Sequence, residues 1–388
     1  MSVNPAIAEL VPDAQRWRRH LHAHPELLYD VDQTAAFVAE RLREFGCDEV
    51  RAGVGRSGVV GVIKGRKGAS GRAIGLRADM DALPITETTN LPYRSTVPGR
   101  MHACGHDGHT AILLGAARYL AATRNFAGSA VVIFQPAEEG GAGAKAMVDD
   151  GLMETFAIEE VYALHNAPKL AVGEIALRTG AAMASADFFV VKLEGKGGHA
   201  AFPHNCIDVI VAGAQIVAAL QTIVSRNVDP LDSCVVSVAR FTAGNTDNIL
   251  PQSAELEGTV RTLSPAARDL VERRFREIVA GIAAAAGVAI TLDYRRNYPV
   301  TMNPAKQAEF AAGVARDALG AGHVHTDQPP VMGAEDFSFM LEARPGAFVW
   351  LGNGDSAGLH HSEYDFNDAA LPYGMAYFAR IVETALAG

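Results

Sequence analysis

The densest chemistry in this sequence lies in Cys104-Gly105-His106-Asp107-Gly108-His109, which sets a thiol, two imidazoles and a carboxylate within six positions. These are the ligand types that hold zinc and related divalent ions. The two glycines leave the backbone free to fold them around a common point. The apolar run Thr110–Ala117 that follows reads as the start of a buried helix. A helix N-terminus stabilises a thiolate placed just before it. The expected chemistry is a metal centre, and the rest of the chain must supply the remaining ligands.

Elements able to position such a centre are legible. Apolar strands are expected at Val59–Lys64, Ala73–Ala78, Ala130–Gln135, Val161–Leu164 and Ala347–Leu351. Helices are expected at Val11–His24, Gln33–Phe45, Thr110–Thr123, Ala144–Asp149, Ala305–Ala318 and Leu371–Leu386. Apolar strands alternating with helices predict an α/β domain with a mainly parallel sheet flanked by helices. Sites in such sheets form beyond the carboxyl ends of the strands. Those ends lead here into Asp79-Met80-Asp81, Glu138-Glu139, His165-Asn166 and His360-His361. One such residue is usually a solvated acid or a capped histidine. Four strand ends offering ligands alongside Cys104–His109 point to a metal centre.

The middle of the chain differs in character. Strand Phe188–Glu194, helix Asp208–Ser225, strands Ser233–Phe241 and Ala254–Leu263, helix Pro265–Ala286 and strand Ala289–Tyr294 give a β-α-β-β-α-β order. That order predicts an inserted ferredoxin-like α+β satellite domain. The expected boundaries are residues 1–184 and 297–388 for the catalytic domain and 185–296 for the satellite. The 388 residues carry a net charge of −10 without a long Lys/Arg run, which argues against nucleic acid or an anionic membrane as partner. No uninterrupted apolar stretch reaches about 18 residues, so no membrane span is expected. No secretory leader is read at the N-terminus. The four dispersed cysteines read as thiols rather than a disulfide framework. A cytoplasmic protein is expected.

Met101–His109, Gln135-Pro136-Ala137-Glu138-Glu139-Gly140, Gly197–Pro203 and Met332–Phe337 together resemble the M20 metallopeptidase superfamily. Within it they resemble the amidohydrolase branch of hippurate hydrolases, N-acyl-amino-acid amidohydrolases and auxin-conjugate hydrolases. The resemblance implies two divalent metal ions (Zn, Mn, Ni or Co) bridged by a cysteine, with Cys104, His106, Glu139, His165 and His361 as ligands. It implies Glu138 as general base, and Asp81 as an orienter of His106. It implies that His199 reaches the active site of the partner subunit in a homodimer or tetramer and helps hold the oxyanion. Asn248 and Arg261 would hold the α-carboxylate of the substrate, since Arg binds carboxylates through paired hydrogen bonds. The implied reaction is cleavage of the amide of an N-acyl amino acid, a small-molecule substrate. The alternatives are an aminopeptidase- or dipeptidase-like hydrolase, or a catalytically silent metal- or peptide-binding member of the fold.

Two glycine-rich stretches are set aside. Gly53–Gly58 matches GxGxxG but runs into a strand instead of a helix, and Gly140–Lys145 lacks the spacing of a phosphate loop. HExxH is absent. No role is read for Glu335-Asp336.

Overall fold

The structure, a computed structural model, describes residues 4–68 and 70–388. It divides into two compact units. The first runs to Ala182 and resumes over Met302–Pro329 and Asp336–Gly388; the second comprises Met183–Thr301 and Pro330–Glu335. The first break falls after Ala182, two residues before the expected 184, and the second after Thr301 instead of 296, since the last satellite strand continues to Tyr298. Residues 330–335 also join the second unit.

The first unit is built on an eight-stranded sheet. Its centre is four parallel neighbours in the order Ser129–Gln135, Ala73–Asp79, Ile158–Pro168 and Gly346–Gly354. Every residue of Ala73–Asp79 is buried. Burial on both faces explains why these strands read as continuous apolar runs rather than alternating ones. Glu49–Val54 and Gly58–Lys64 form an antiparallel hairpin at one edge, so the GxGxxG match is a hairpin turn.

Helix His106–Thr123 is buried almost all round, as an apolar central helix must be. It packs against Leu371–Ala385 and Val11–Ala23. The contact with Leu371–Ala385 is close because glycines face it from both sides. A Cβ on Gly115 would lie 2.7 Å from the Met375 side chain, and one on Gly374 2.6 Å from that of Ile112. This helix begins at His106, not at the expected Thr110. Gly105, at φ 89°, turns the chain into it, and Asp107 in the first turn is favoured by the dipole.

In the second unit Ala186–Glu194 and Ser253–Thr262 are the central strands of an antiparallel sheet, flanked by Ala289–Tyr298 and Cys234–Ala243. With helices Val209–Thr222 and Pro265–Ala286 this is the ferredoxin-like arrangement. Asp208 caps the first helix and Ser264 the second, where Pro265 occupies the first turn. Among the described residues one helical stretch, Val209–Asn227, is long and apolar enough to cross a membrane, which the sequence did not lead us to expect. Val209, Ala212, Ile216 and Leu220 bury one side of it in the satellite core, while Ile210, Val211 and Val224 stay exposed.

Candidate metal centre

The four central strands are parallel, so their carboxyl ends lie together: three lead to Glu139, His165 and His360, and Ala73–Asp79 leads to Asp79 and Asp81, which support them. Cys104 Sγ lies 3.4 Å from His165 Nε2. Glu139 Oε1 lies 3.9 Å from His106 Nε2 and 3.3 Å from His360 Nε2. Ligand atoms of Cys104, His106 and His165 lie within 4.8 Å of one another, as do those of Cys104, Glu139 and His360. Glu138 forms a further such group with His106 and Glu139.

Two histidines are fixed in the tautomer a metal requires. His106 Nδ1 meets the Asp81 carbonyl at 2.7 Å, and His165 Nδ1 meets the Asn166 carbonyl at 2.8 Å. A carbonyl only accepts, so both Nδ1 atoms carry hydrogen, and it is the Nε2 atoms that face the cluster. His106 Nε2 and Glu139 Oε1 are buried and make no hydrogen bond. Burial, followed by Glu139, Glu138 and Asp79, pushes the Cys104 thiol well above its ordinary range. At His106 burial opposes the charge, but Asp79, Asp81 and Glu139 raise the imidazole to about 10. A thiol among carboxylates, beside an imidazole nitrogen with no hydrogen-bond partner, is a site short of positive charge. The donor set therefore fits divalent metal ions, which Cys104, His106, Glu139, His165 and His360 would hold.

The histidine at the cluster is His360, not the expected His361. His360 adopts a left-handed conformation (φ 62°) that turns its ring to Glu139, and its N–H donates to the Ala103 carbonyl. His361 is exposed and its Nδ1 accepts from Glu363 N. Adjacent histidines are alike in type and spacing, so only the backbone conformation separates them.

Asp81, expected as an orienter of His106, contacts both that ring and the loop that follows Gln135. Its carbonyl holds His106, while its carboxylate accepts the N–H groups of Glu138 (2.9 Å) and Glu139 (3.1 Å). Asp79 is engaged elsewhere: Oδ1 takes His109 Nδ1 at 2.6 Å and Oδ2 takes Arg77 Nη1 at 2.8 Å. His109 Nε2 accepts from Asn166 N, so both its nitrogens are used; burial first, then His165 and His106 against the pull of Asp79, lower it to about 4. Asn166 in turn donates to the Cys104 carbonyl and accepts from the Tyr364 hydroxyl, both at 2.6 Å. His106 and His109 share a face because the helix already includes them. Arg77, Asn166 and Tyr364 were missed from sequence: they sit within strands or between motifs with no spacing to mark them.

The sequence matches the family model "Peptidase family M20/M25/M40" over residues 75–384. The chain belongs to this family. It is 44% identical to a hippurate hydrolase of Campylobacter jejuni over 98% of each chain. It is 42% identical to an N-acetyl-L-cysteine deacetylase of Bacillus subtilis, over 91% of this chain and 83% of the relative. A solved structure of the Bacillus subtilis YxeP protein, described as a dinuclear metal binding peptidase from the M20 family, superposes with a TM-score of 0.84 at 35% identity, covering 98% and 99% of the two chains.

The other residues singled out in this M20 chain lie in the satellite unit. His199 is exposed; its Nδ1 accepts from Ala201 N at 3.1 Å, which leaves the proton on Nε2. His199 pairs with Ile249 across a short antiparallel ladder, and the Asn248 carbonyl accepts from Ala200 N, so Asn248 and His199 are neighbours. Arg261 sits near the far end of strand Ser253–Thr262, half-buried. Its Nε donates to the Thr259 hydroxyl oxygen at 3.2 Å, its guanidinium lies 5.8 Å over the Phe188 ring, and it makes no ion pair among the described residues. Burial lowers its pKa. The strand between Ser253 and Arg261 spans roughly 27 Å at about 3.4 Å per residue. Asn248 and Arg261 of one chain therefore cannot grip one carboxylate.

Proposed function

We propose that this protein hydrolyses the amide bond of N-acyl amino acids, releasing a carboxylic acid and a free amino acid. The observation that carries the reading is Glu138. It lies beside the ligand group of His106 and Glu139, its backbone N–H is anchored on Asp81, and it is not needed to complete the five-residue donor set. The names of the hippurate hydrolase and deacetylase relatives support the substrate class.

In this reading two divalent ions, zinc, manganese, nickel or cobalt, are held by Cys104, His106, Glu139, His165 and His360. When bound they supply Lewis acidity, making water nucleophilic near neutral pH and polarising the scissile carbonyl. Glu138 takes the proton of the attacking water on a carboxylate oxygen as the new C–O bond forms. It returns that proton to the amide nitrogen as the C–N bond breaks, so the amine leaves neutral. His199, with hydrogen on Nε2, is a donor suited to the tetrahedral oxyanion.

If Asn248 and Arg261 both bind the substrate carboxylate, the length of strand between them requires that they come from different copies of the chain. We therefore include a homodimer or tetramer in the proposal, with His199 and Asn248 acting in the site of the partner subunit. The exposed Ile210, Val211 and Val224 offer an apolar surface for it. The cytoplasm is the proposed compartment. The test is a panel of N-acetyl, N-benzoyl and indole-acetyl amino acids with simple dipeptides, assayed after chelation and refilling with each metal. Metal-restored cleavage of N-acyl amino acids is expected; cleavage of dipeptides alone would overturn the substrate assignment.

A further inference from the structure

Asp336 has no role in the reaction as derived so far, yet its carboxylate is fully buried and surrounded by the elements that support the site. Oδ1 accepts from Gln135 Nε2 at 2.8 Å and from Arg77 Nη2 at 3.1 Å. Oδ2 accepts from Gln135 Nε2 at 2.9 Å and from the backbone N–H of Ala144 at 2.9 Å. Gln135 and Ala144 are the two ends of the loop that carries Glu138 and Glu139. A carboxylate oxygen of Asp336 lies within 4.8 Å of one of Glu138.

The loop needs such a clamp. Ala137 and Ala142 both sit at φ 54°, a left-handed conformation that non-glycine residues adopt only when their surroundings impose it. Gly143 N donates to the Ala137 carbonyl, and a Cβ on Gly143 would stand 1.6 Å from the Pro136 carbonyl oxygen, so the loop folds tightly back on itself. Asp81 holds the middle of the loop at two N–H groups, and Asp336 holds its ends. Arg77 ties the two supports to one strand. Its guanidinium donates to Asp336, to the Gln135 side-chain oxygen at 2.8 Å and to Asp79 at 2.8 Å.

We propose that Asp336 is a positioning residue for catalysis: by fastening both ends of the Gln135–Ala144 loop to Arg77 it fixes the place of Glu138. The inference rests on Glu138 being the general base. Displacing a catalytic group by about 1 Å costs on the order of 100-fold in rate. Asp336→Asn keeps the volume and one acceptor oxygen but sets an NH2 against the donors of Gln135, Arg77 or Ala144. At saturating metal, so that a weakened Glu139 does not imitate the effect, its kcat should fall on the order of 100-fold. KM and bound metal should stay as in the unmodified enzyme.

Gln135→Met removes the same tie from the other side and should lower kcat in the same manner. The double variant should be no worse than the poorer single one, because the two changes break one clamp. Unchanged kcat in folded, metal-loaded Asp336→Asn and Gln135→Met overturns the proposal. So does loss of thermal stability with full turnover per folded molecule, the mark of a merely structural group. Glu138→Gln, run beside them, separates the two claims: if it retains turnover, the assignment of the base has failed. If it is inactive while the Asp336 and Gln135 variants keep full kcat, only the positioning role has failed.

Discussion

Raising the pH from 7 to 10 is expected to remove stability from the first unit through one buried histidine. The His22 ring faces Asp107 Oδ2 at 2.8 Å through Nδ1 and Glu87 Oε1 at 3.4 Å through Nε2. Arg18 lies 3.6 Å from Asp107, and the uncharged His102 ring packs with its centroid 6.4 Å from that of His22. Burial disfavours the imidazolium, but Asp107 and Glu87 outweigh both burial and Arg18 and raise His22 to about 9. Set against about 6.5 in the unfolded chain, the shift corresponds to about 3 kcal/mol. The folded value is the higher one, so this contribution is complete below about pH 6.5 and is lost as pH rises through 9. Both tryptophans, Trp17 and Trp350, lie in the first unit, so their fluorescence during urea unfolding reports on that unit alone. Metal-loaded wild type and His22→Gln are compared across the range, which subtracts every titration the two share. The stability difference should be largest at pH 6 to 7 and shrink by about 3 kcal/mol by pH 10. A difference that stays constant across the range would refute the charged His22–Asp107 pair.

Gly105→Ala puts a Cβ 2.3 Å from Asn166 Nδ2 and 2.6 Å from the Tyr364 hydroxyl at φ 89°. The left-handed backbone alone costs roughly 1–2 kcal/mol, and the displaced Asn166 should loosen Cys104, so bound metal measured by elemental analysis should fall. His360→Ala should lower the metal content and His361→Ala should leave it unchanged; the reverse pattern would restore His361 as the ligand. Mixed dimers of His199→Ala with Glu138→Gln should recover activity that neither parent has. Failure to recover any would end the assignment of His199 to the site of the other copy.

Much of this was legible because it rests on local chemistry. Cys104 and His106 stand at a helix start, Glu138 and Glu139 follow a strand end, and His165 lies near the carboxyl end of its strand; the structure brings them together. The parallel sheet was readable from its unbroken apolar strands, which only burial on both faces produces. What was not legible depends on backbone angles and distant partners. His360 and His361 differ by a left-handed φ that no residue type announces. Asp81 is a ligand-type acid whose work is done half by its carbonyl. Asp336 lies about 200 residues from the loop it clamps, and Arg77 reads as an ordinary strand residue until Gln135, Asp79 and Asp336 are seen as its acceptors. Helix His106–Thr123 began earlier than expected because a glycine turn, and not a polar cap, starts it.

Glu138→Gln tests the central claim most directly, since it removes the base while retaining size and the backbone hydrogen bond to Asp81. Metal stoichiometry and turnover of an N-acyl amino acid are measured on the same preparation. Full metal with turnover lost is the expected result, because the five donors remain and no group is left to move the proton. Full metal with turnover kept would take Glu138 out of the reaction. Metal lost with turnover would make it a ligand and leave the base to be found elsewhere.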